Sequence, residues 1–522
     1  MRLVLPIMFS LGVGCSSPGA MVFEGGGPDV AGNEGGGDAG DDAPYTAGDP
    51  TITPGAADRI LLVGKIVTPE MEIDGQVLVE GNLITCVDAG SICSAEPGAN
   101  GATIIQTNGI IAPGLIDSHN HILFDIFDDS DWLPSKLYSN HNQWGAEAKY
   151  AAMVDVKQCL GNDSSKPAWC AMTPYGNANG SLRCELDKFG ELKGMIAGTT
   201  SIVGLPGTSS TCFNSLSRSI DDTENGGLGP DKVQTSALFP PSKAAGDGVC
   251  NNFASGNTVA YLIHTGEGID GTALNEFTTL GTLTTTQQCL YAPQTAITHG
   301  TAFTTTEFTT MAMKGMKLTW SPASNVALYG KTADIPAALA AGVKVSLGPD
   351  WSMGGSQNML DELRFANDWD DKNFGNKLTP KDLLIMSTEN PAAILGFTNQ
   401  LGQIKKGYVA DIFVVAGNPA TPYDAILSAT PKQVSMVMIG GKILYGDASI
   451  QKAAPAQPGC ETIDICTKQK FLCVATTDTT NKFNQTYAEI KKALEDGLVV
   501  SDMTTMADGF NFAPLAPIVK CK

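Results

Sequence analysis

The chain has 522 residues, of which 43% are hydrophobic and 17% are charged. This length favours one large domain with appended modules over a single small core. The 33 basic and 54 acidic residues give a formal net charge of -21 without a basic stripe, which argues against nucleic acid or an anionic lipid surface as a partner.

The first 15 residues have the pattern of an export signal. Met1 and Arg2 precede an apolar run, residues 3–11, that is too short to span a bilayer as a permanent helix. The run leads into Gly12-Val13-Gly14-Cys15, which resembles the lipobox of bacterial lipoproteins, although glycine stands at position 12 where leucine is usual. We therefore expect export to the bacterial cell envelope, in the periplasm or on the cell surface, with a lipid on Cys15 as the only membrane contact. The alternative is a plain cleaved signal with an incidental cysteine.

Residues 16–57 form a segment rich in Gly and Asp. The segment contains glycine runs at 25–27 and 35–37 and few large apolar side chains. It cannot offset the entropy cost of ordering by burying apolar surface. This composition predicts a flexible acidic tether.

Two stretches of β-branched residues, broken by Gly and Asn turns, lie on either side of the middle of the chain. Residues 58–112 contain the first stretch and residues 402–450 contain the second. This pattern is typical of short antiparallel strands. We expect the two flanks to pair into one composite β-sandwich.

Residues 113–401 alternate short apolar runs with amphipathic stretches. The runs that predict buried parallel strands are residues 197–204, 259–264, 295–299, 316–320 and 343–348. Residues 306–314 and 333–341 have the pattern of intervening helices. Repeated strand-then-helix units predict an α/β fold with a (β/α)₈ barrel of the TIM type. In that fold the chemistry lies where strands end and loops begin.

The sequence has 13 cysteines, one of them in the signal, and no Cys-x-x-Cys motif. An even number of remaining cysteines in an exported chain predicts disulfides. The short-range candidates are Cys86 with Cys93, Cys212 with Cys250, and pairing within the last four cysteines. Those four lie in residues 451–522, which we expect to be a disulfide-tied extension packed on the barrel.

His119 and His121 follow the apolar run that opens the predicted barrel. Alternate residues of an extended strand point the same way, so this pair can offer two imidazoles to one ion. The pair alone is a weak signal, because solvated or core-packed histidines show the same spacing. Further ligands have to come from elsewhere in the chain.

Five motifs carry a more specific pattern. They are PGLIDSHNH at 113–121, HTGE at 264–267, THG at 298–300, SPASN at 321–325 and LGPD at 347–350. In this order they resemble the amidohydrolase superfamily, and within it the branch of mononuclear deaminases and triazine hydrolases. The flanking strands match too, with Ala410-Asp411 in the closing phrase, so the resemblance covers roughly residues 58–446.

The resemblance implies that His119, His121, His264 and Asp350 hold one divalent metal ion. Imidazole and carboxylate ligands suit zinc, and iron, manganese or nickel are compatible with them. No lysine matches the carbamylated bridge of the binuclear branches, which indicates a single ion.

The resemblance also implies the catalytic groups Glu267, His299 and Asp350. Glu267 would carry a proton to the leaving ammonia or amine. His299 would orient the attacking water and stabilise the developing charge, and Asp350 would both bind metal and relay a proton. An exposed glutamate at a helix start would give the same local pattern as Glu267.

His141, Asn325 and Trp351 are candidates for the substrate pocket. Packing explains Trp351 equally well, and Asn325 could serve its loop instead. An acidic loop offers a calcium site, but its spacing is not that of a known cation loop, which favours a solvated face. The loop contains Asp125, Asp128, Asp129 and Asp131.

The function implied is metal-dependent hydrolysis of non-peptide carbon–nitrogen bonds, by deamination or ring-amide hydrolysis of a small molecule. A lactonase, esterase or dipeptidase-type hydrolase on the same scaffold is the alternative among enzymes, since fold does not determine substrate. A non-catalytic surface binding lipoprotein is the alternative from another class. The sequence makes no prediction about the oligomeric state.

Overall fold

The computed structural model describes residues 48–204, 216–223, 225–237, 239–455, 459–476, 482, 484–505 and 509–521. The signal, Cys15 and most of the tether lie outside the described residues. Export and lipid attachment at Cys15 therefore stay predictions, which fractionation of cell membranes would test. Within the described ranges, no helix combines the length and the apolar character needed to cross a bilayer.

The β-strands described are β1 (Thr51–Thr53), β2 (Ala56–Val67), β3 (Glu72–Glu80), β4 (Leu83–Ala89), β5 (Ala102–Pro113), β6 (Leu115–Asp117), β7 (Thr199–Ile202), β8 (Arg218–Ser219), β9 (Val233–Ser236), β10 (Ala260–Thr265), β11 (Thr295–His299), β12 (Lys317–Trp320), β13 (Lys344–Leu347), β14 (Ile412–Val415), β15 (Val434–Ile439), β16 (Lys442–Asp447), β17 (Gly459–Ile465) and β18 (Lys468–Ala475).

The α-helices described are α1 (His141–Trp144), α2 (Ala148–Leu160), α3 (Arg183–Met195), α4 (Lys243–Ser255), α5 (Gly271–Thr282), α6 (Thr305–Lys314), α7 (Pro322–Tyr329), α8 (Ile335–Ala341), α9 (Met359–Trp369), α10 (Pro380–Met386), α11 (Glu389–Ile394), α12 (Pro422–Ser428) and α13 (Tyr487–Thr505). A π-helical turn, Asp370–Phe374, continues α9. Short 3-10 helices lie in the loops.

Strands β6 to β13 are parallel and follow one another in chain order, with β6-β7-β8 in one sheet and β9 to β13 in a second. The five strands predicted from apolar runs are confirmed as β7 and β10 to β13. β6 and β13 lie side by side: the N–H of Ser118, the residue after β6, donates to the carbonyl of Leu347 in β13 at 3.3 Å. In the described part of the chain no ladder joins β8 to β9, so a fully closed barrel stays a prediction.

The two parallel sheets share one apolar cluster. Ile116 of β6 packs in the same cluster as Leu262 of β10 and Ala296 of β11, and all three are buried. Every residue of β10 and of β11 is buried. Strands covered on both faces read as continuous apolar runs, which is why this part of the fold was visible in the sequence.

A ten-stranded sheet contains strands from both flanks. The flanks meet where β5 pairs antiparallel with β14, with Ala112 opposite Phe413. They therefore join edge to edge in one continuous sheet, an arrangement that satisfies backbone groups that two separate sheet edges would leave unpaired. β1 also pairs with β5 and β2 begins at Ala56, so residues 51–53 and 56–57 lie in strands and not in the predicted tether.

The ten-stranded sheet is tied to the parallel strands by a buried ion pair. Arg218 of β8 donates to Asp411, at the entry to β14, through Nε at 2.6 Å and Nη2 at 2.9 Å. Both side chains are 4% exposed. Asp411, part of the closing phrase noted in the sequence, thus serves as an anchor between the two parts of the fold.

The C-terminal residues add strands to the ten-stranded sheet and also pack against a helix. β17 and β18 add to the sheet beyond β16, and α13 packs against α3. Disulfides Cys460–Cys473 and Cys466–Cys521 confirm pairing among the last four cysteines.

The other disulfides follow tertiary contacts. Cys86–Cys93 is confirmed. The predicted pair Cys212–Cys250 is wrong, because Cys250 of α4 bonds to Cys289, which follows α5. Cys212 lies outside the described residues. A further bond, Cys159–Cys170, was not predicted.

Candidate metal centre and active site

The two histidines that open the site follow the end of β6. Asp117, the last residue of β6, shapes this turn: its Oδ1 accepts the His119 N–H at 3.0 Å and its Oδ2 accepts the Asn120 side-chain amide at 2.9 Å. The rings of His119 and His121 lie 5.1 Å apart, centroid to centroid. The turn therefore brings both imidazoles to one end of the parallel strands.

The remaining site residues also stand at strand ends. His264 lies in β10, His299 ends β11, and Asp350 follows β13. His299 and Asp350 have φ values of 75° and 74°, a left-handed conformation that costs non-glycine residues about 1–3 kcal/mol each. Such strain persists only where the surroundings hold the backbone in place. Here the Asp350 N–H donates to the His119 carbonyl at 2.9 Å.

The ligand-type atoms of these residues converge. His119 Nε2 lies 3.1 Å from Asp350 Oδ1, and His121 Nε2 lies 3.3 Å from the same oxygen. His121 Nε2 also lies 3.3 Å from His264 Nε2. Atoms bound to one tetrahedral zinc ion at about 2.0–2.1 Å stand about 3.3 Å from one another. The separations therefore fit a single ion of this kind.

Burial keeps the imidazoles neutral, as metal ligands must be. It lowers the pKa of His119 and of His264 to about 3 and the pKa of His121 well below its ordinary value. The His264 Nδ1–H donates to the Ser236 carbonyl at 3.0 Å, so its Nε2 carries the free lone pair. A hydrogen bond of this type on the far nitrogen also orients a metal-binding histidine.

His299 lies close enough to belong to the same cluster. Its ligand-type atom stands within 4.8 Å of those of His119, His264 and Asp350, which form a buried His₃Asp group that could hold a metal ion. Distance alone therefore offers two sets of four residues, one with His121 and one with His299.

The hydrogen bonds of His299 favour the set that contains His121. Trp320 Nε1 donates to Thr332 Oγ1 at 2.6 Å, and Thr332 donates to Asn325 Oδ1 at 3.3 Å. The Asn325 amide nitrogen then faces His299 Nδ1 at 2.9 Å and donates to it. A neutral imidazole that accepts at one nitrogen carries its hydrogen on the other. His299 thus carries its hydrogen at Nε2, which argues against metal binding through that nitrogen.

Glu267 lies beside this N–H. Its Oε2 is 3.8 Å from His299 Nε2, and the side chain of Glu267 is almost fully buried. Burial raises the pKa of Glu267 to about 7, partly offset by His141 and by a hydrogen bond from Tyr329. A carboxyl group with a pKa near neutrality can both take and give a proton.

Residues 251–444 match the model of the Amidohydrolase family. Over these residues the chain has the sequence pattern of the amidohydrolases. It is 25% identical over 407 residues to the 5'-deoxyadenosine deaminase of Methanothermobacter thermautotrophicus, with 72% of this chain and 90% of the relative covered.

Solved structures show the same fold. The triazine hydrolase from Arthrobacter aurescens matches with a TM-score of 0.55 at 18% identity, over 74% of this chain and 94% of that protein. A zinc-bound adenosine deaminase from Xanthomonas campestris matches with a TM-score of 0.52 at 16% identity, over 74% and 92% of the two chains. The family match over residues 251–444 and the buried His₃Asp group together indicate a metal-dependent hydrolase.

The three residues expected in the substrate pocket all lie at the site, in different settings. His141 is half-buried, and its Nε2 lies 2.6 Å from Glu276 Oε1. The Trp351 ring lies 5.5 Å from the His121 ring, and its Nε1 has no hydrogen-bond partner among the described residues. Asn325 is fully buried against His299, so the structure favours a positioning role for it over substrate contact.

The acidic loop supports the segment after Asp350. The Ser352 hydroxyl donates to Asp125 Oδ1 at 3.0 Å, and Lys520 Nζ lies 3.2 Å from Asp128 Oδ2. Asp125, Asp128 and Asp131 are buried, so the expectation of a solvated face is wrong for these three. Their carboxylate oxygens accept hydrogen bonds from neighbouring hydroxyl, ammonium and amide groups. These contacts give no support to a calcium site.

Sequence reasoning missed Tyr329, Glu276 and Trp144. Tyr329 donates to Glu267, Glu276 holds His141, and Trp144 contacts Tyr329. None of these residues carries a spacing signal, because each reaches the site only through the fold.

Glu362, a buried carboxyl of α9, provides a test of how burial couples protonation to folding stability. It is fully buried, accepts from the Ala323 N–H at 3.4 Å and contacts Ser356. Burial raises the pKa of this carboxyl from 4.5 to about 8. The folded protein therefore holds a proton that the unfolded chain releases, and the free energy of unfolding falls as pH rises from about 4.5 to 8.

Replacing Glu362 with glutamine should remove this fall in the free energy of unfolding with rising pH. We expect the free energy of unfolding of the variant, relative to the unchanged protein, to rise by a few kcal/mol between pH 5 and pH 8, at about 1.4 kcal/mol per pKa unit. Urea denaturation at several pH values measures it. The same change at exposed Glu70 should leave the pH trend unaltered. Parallel pH curves for the Glu362 variant and the unchanged protein would contradict the prediction.

Proposed function

We propose that this amidohydrolase deaminates a small heterocyclic molecule or hydrolyses its ring amide. The observation that carries the proposal is the convergence of four histidines, Asp350 and the buried carboxyl of Glu267 at one end of the parallel strands. The deaminase and the triazine hydrolase to which the chain is similar support this choice of bond. We expect a small-molecule substrate, because the ligand-type atoms stand in a narrow, buried cluster.

We assign metal binding to His119, His121, His264 and Asp350. Zinc fits these ligands best, and iron, manganese or nickel are compatible with them. When bound, such an ion supplies Lewis-acid chemistry and lowers the pKa of a water toward about 7. The chain's own contribution is to hold three neutral imidazoles and one carboxylate together, with His121 Nε2 3.3 Å from both His264 Nε2 and Asp350 Oδ1 and His119 Nε2 3.1 Å from that oxygen.

We assign proton transfer to Glu267. The carboxylate takes a proton from the attacking water and returns it to the nitrogen that leaves. Its raised pKa, about 7, suits both steps at neutral pH. His299 directs its Nε2–H toward the reaction side of Glu267 and can donate to an oxygen on which negative charge develops.

A substrate panel with zinc-loaded protein tests the proposal. One arm contains adenosine, 5'-deoxyadenosine, guanine, cytosine and an amino-substituted triazine, assayed for release of ammonia or amine. The other contains a lactone, an aryl ester and a dipeptide. We expect turnover in the first arm, with one ammonia released per molecule of an amino-substituted substrate consumed.

Two results would overturn the proposal. Turnover confined to the lactone, ester or dipeptide would assign the site to the alternative hydrolase class. No turnover in either arm, with one equivalent of zinc bound, would favour a binding protein on the same scaffold.

A further inference from the structure

Tyr329, the last residue of α7, lies directly against Glu267. Its hydroxyl is 2.7 Å from Glu267 Oε1, and its side chain is 1% exposed. The Trp144 Nε1 lies 2.8 Å from the same hydroxyl. The three side chains form a chain of hydrogen bonds that ends on the catalytic carboxyl.

The direction of these bonds is determined by the donors. An indole N–H can only donate, and a phenol has one hydrogen and an oxygen that accepts. Because Trp144 donates to the Tyr329 oxygen, the hydrogen of Tyr329 is free to point at Glu267. Oε1 therefore acts as an acceptor. The second oxygen, Oε2, is the one that faces His299.

We propose that Tyr329, held by Trp144, is a positioning residue for the reaction. It occupies Oε1 of Glu267 and leaves Oε2 as the oxygen that exchanges a proton with the reacting molecule. This inference rests on the proposed role of Glu267 in proton transfer. Neither Tyr329 nor Trp144 has to touch the substrate to act in this way.

The backbone near Trp144 supports the same arrangement. Trp144 ends α1, and α1 begins at His141, whose N–H donates to the Glu267 carbonyl at 3.1 Å. The Ile269 N–H donates to the Ser139 carbonyl at 2.7 Å. One loop between β6 and α2 thus holds the backbone of Glu267 directly and its side chain through Tyr329.

Kinetics of Tyr329→Phe, Trp144→Phe and the double variant test the proposal, using the panel compound that the unchanged protein turns over fastest. Tyr329→Phe should lower kcat about tenfold to a hundredfold, as expected for loss of a hydrogen bond to a charged group. KM should stay within about threefold, since substrate contacts remain. Trp144→Phe should lower kcat about threefold to tenfold.

The double variant discriminates a relay from two separate effects. If Trp144 acts through Tyr329, the double variant should be no slower than Tyr329→Phe alone, because residues in one network are not additive. Tyr291→Phe is the matched control, since its hydroxyl donates to the Phe277 carbonyl away from the site. An unchanged kcat in Tyr329→Phe, a change in KM alone, or additive losses would overturn the proposal.

Failure of the proposed function gives a different result. If the unchanged protein turns over no compound of the panel, that function is wrong, and crystal structures of the zinc-loaded unchanged protein and of Tyr329→Phe decide the present inference. We expect one orientation of the Glu267 carboxyl in the unchanged protein and a rotated or divided orientation in the variant. An identical carboxyl in both would overturn it.

Discussion

Replacing Glu267 with glutamine is expected to lower kcat by about 10²–10⁴-fold, the usual contribution of a general acid–base group. Glutamine keeps the size of the side chain but cannot carry a proton between water and the leaving nitrogen. The bound metal should be unaffected, because Glu267 lies outside the proposed ligand set. The initial rate of ammonia release and the metal content of the same preparation measure both outcomes.

The thermal midpoint separates this effect from misfolding. Burial opposes ionisation of the Glu267 carboxyl, so removing its charge should not lower stability at neutral pH. Glu70→Gln, at an exposed glutamate between β2 and β3, is the matched control and should retain kcat. Retention of more than about a tenth of the rate by Glu267→Gln would remove the residue from proton transfer.

Replacing His121 with alanine is expected to release the metal ion and, with it, turnover. His121 Nε2 lies 3.3 Å from both Asp350 Oδ1 and His264 Nε2, so the substitution removes a ligand that neighbours two of the others. Residues that merely support metal ligands cost about 10–100-fold in affinity when removed, and a direct ligand should cost more. Equilibrium dialysis at fixed free zinc, followed by elemental analysis, measures the loss.

His299→Ala is the matched control, because it removes an imidazole from the same cluster. Both of its nitrogens are accounted for, with Asn325 at Nδ1 and the Glu267 side at Nε2. We expect this variant to keep one equivalent of zinc while its kcat falls. If His299→Ala loses the ion and His121→Ala keeps it, the correct ligand set is the one with His299 in place of His121.

The parts of this fold that were predictable depend on local pattern. Strands β10 to β13 are short and buried on both faces, so each is an apolar run that can be recognised without knowing its neighbours. The chemically active residues follow such runs. Parallel strands in consecutive units end at the same edge, so the predicted barrel agreed with the ligand set that the family resemblance implied, with His264 and Asp350 near His119.

Other features depend on partners far apart in the chain. Cys250 bonds to Cys289 because two helices lie side by side, and spacing did not indicate that choice. The C-terminal hairpin of β17 and β18 joins the sheet because the edge of β16 is open to it. No property of residues 451–522 alone distinguishes pairing with that edge from packing on helices.

In the candidate site, too, some features were predictable from the sequence and others depend on the tertiary structure. The resemblance of five ordered motifs to the amidohydrolase superfamily selected the candidates for metal and proton chemistry, which are His119, His121, His264, His299, Asp350 and Glu267. Which nitrogen of His299 carries hydrogen depends on Asn325, Thr332 and Trp320, and which oxygen of Glu267 is free depends on Tyr329 and Trp144. Hydrogen-bond direction is a property of donors and acceptors brought together in space, and only the tertiary structure brings these side chains together.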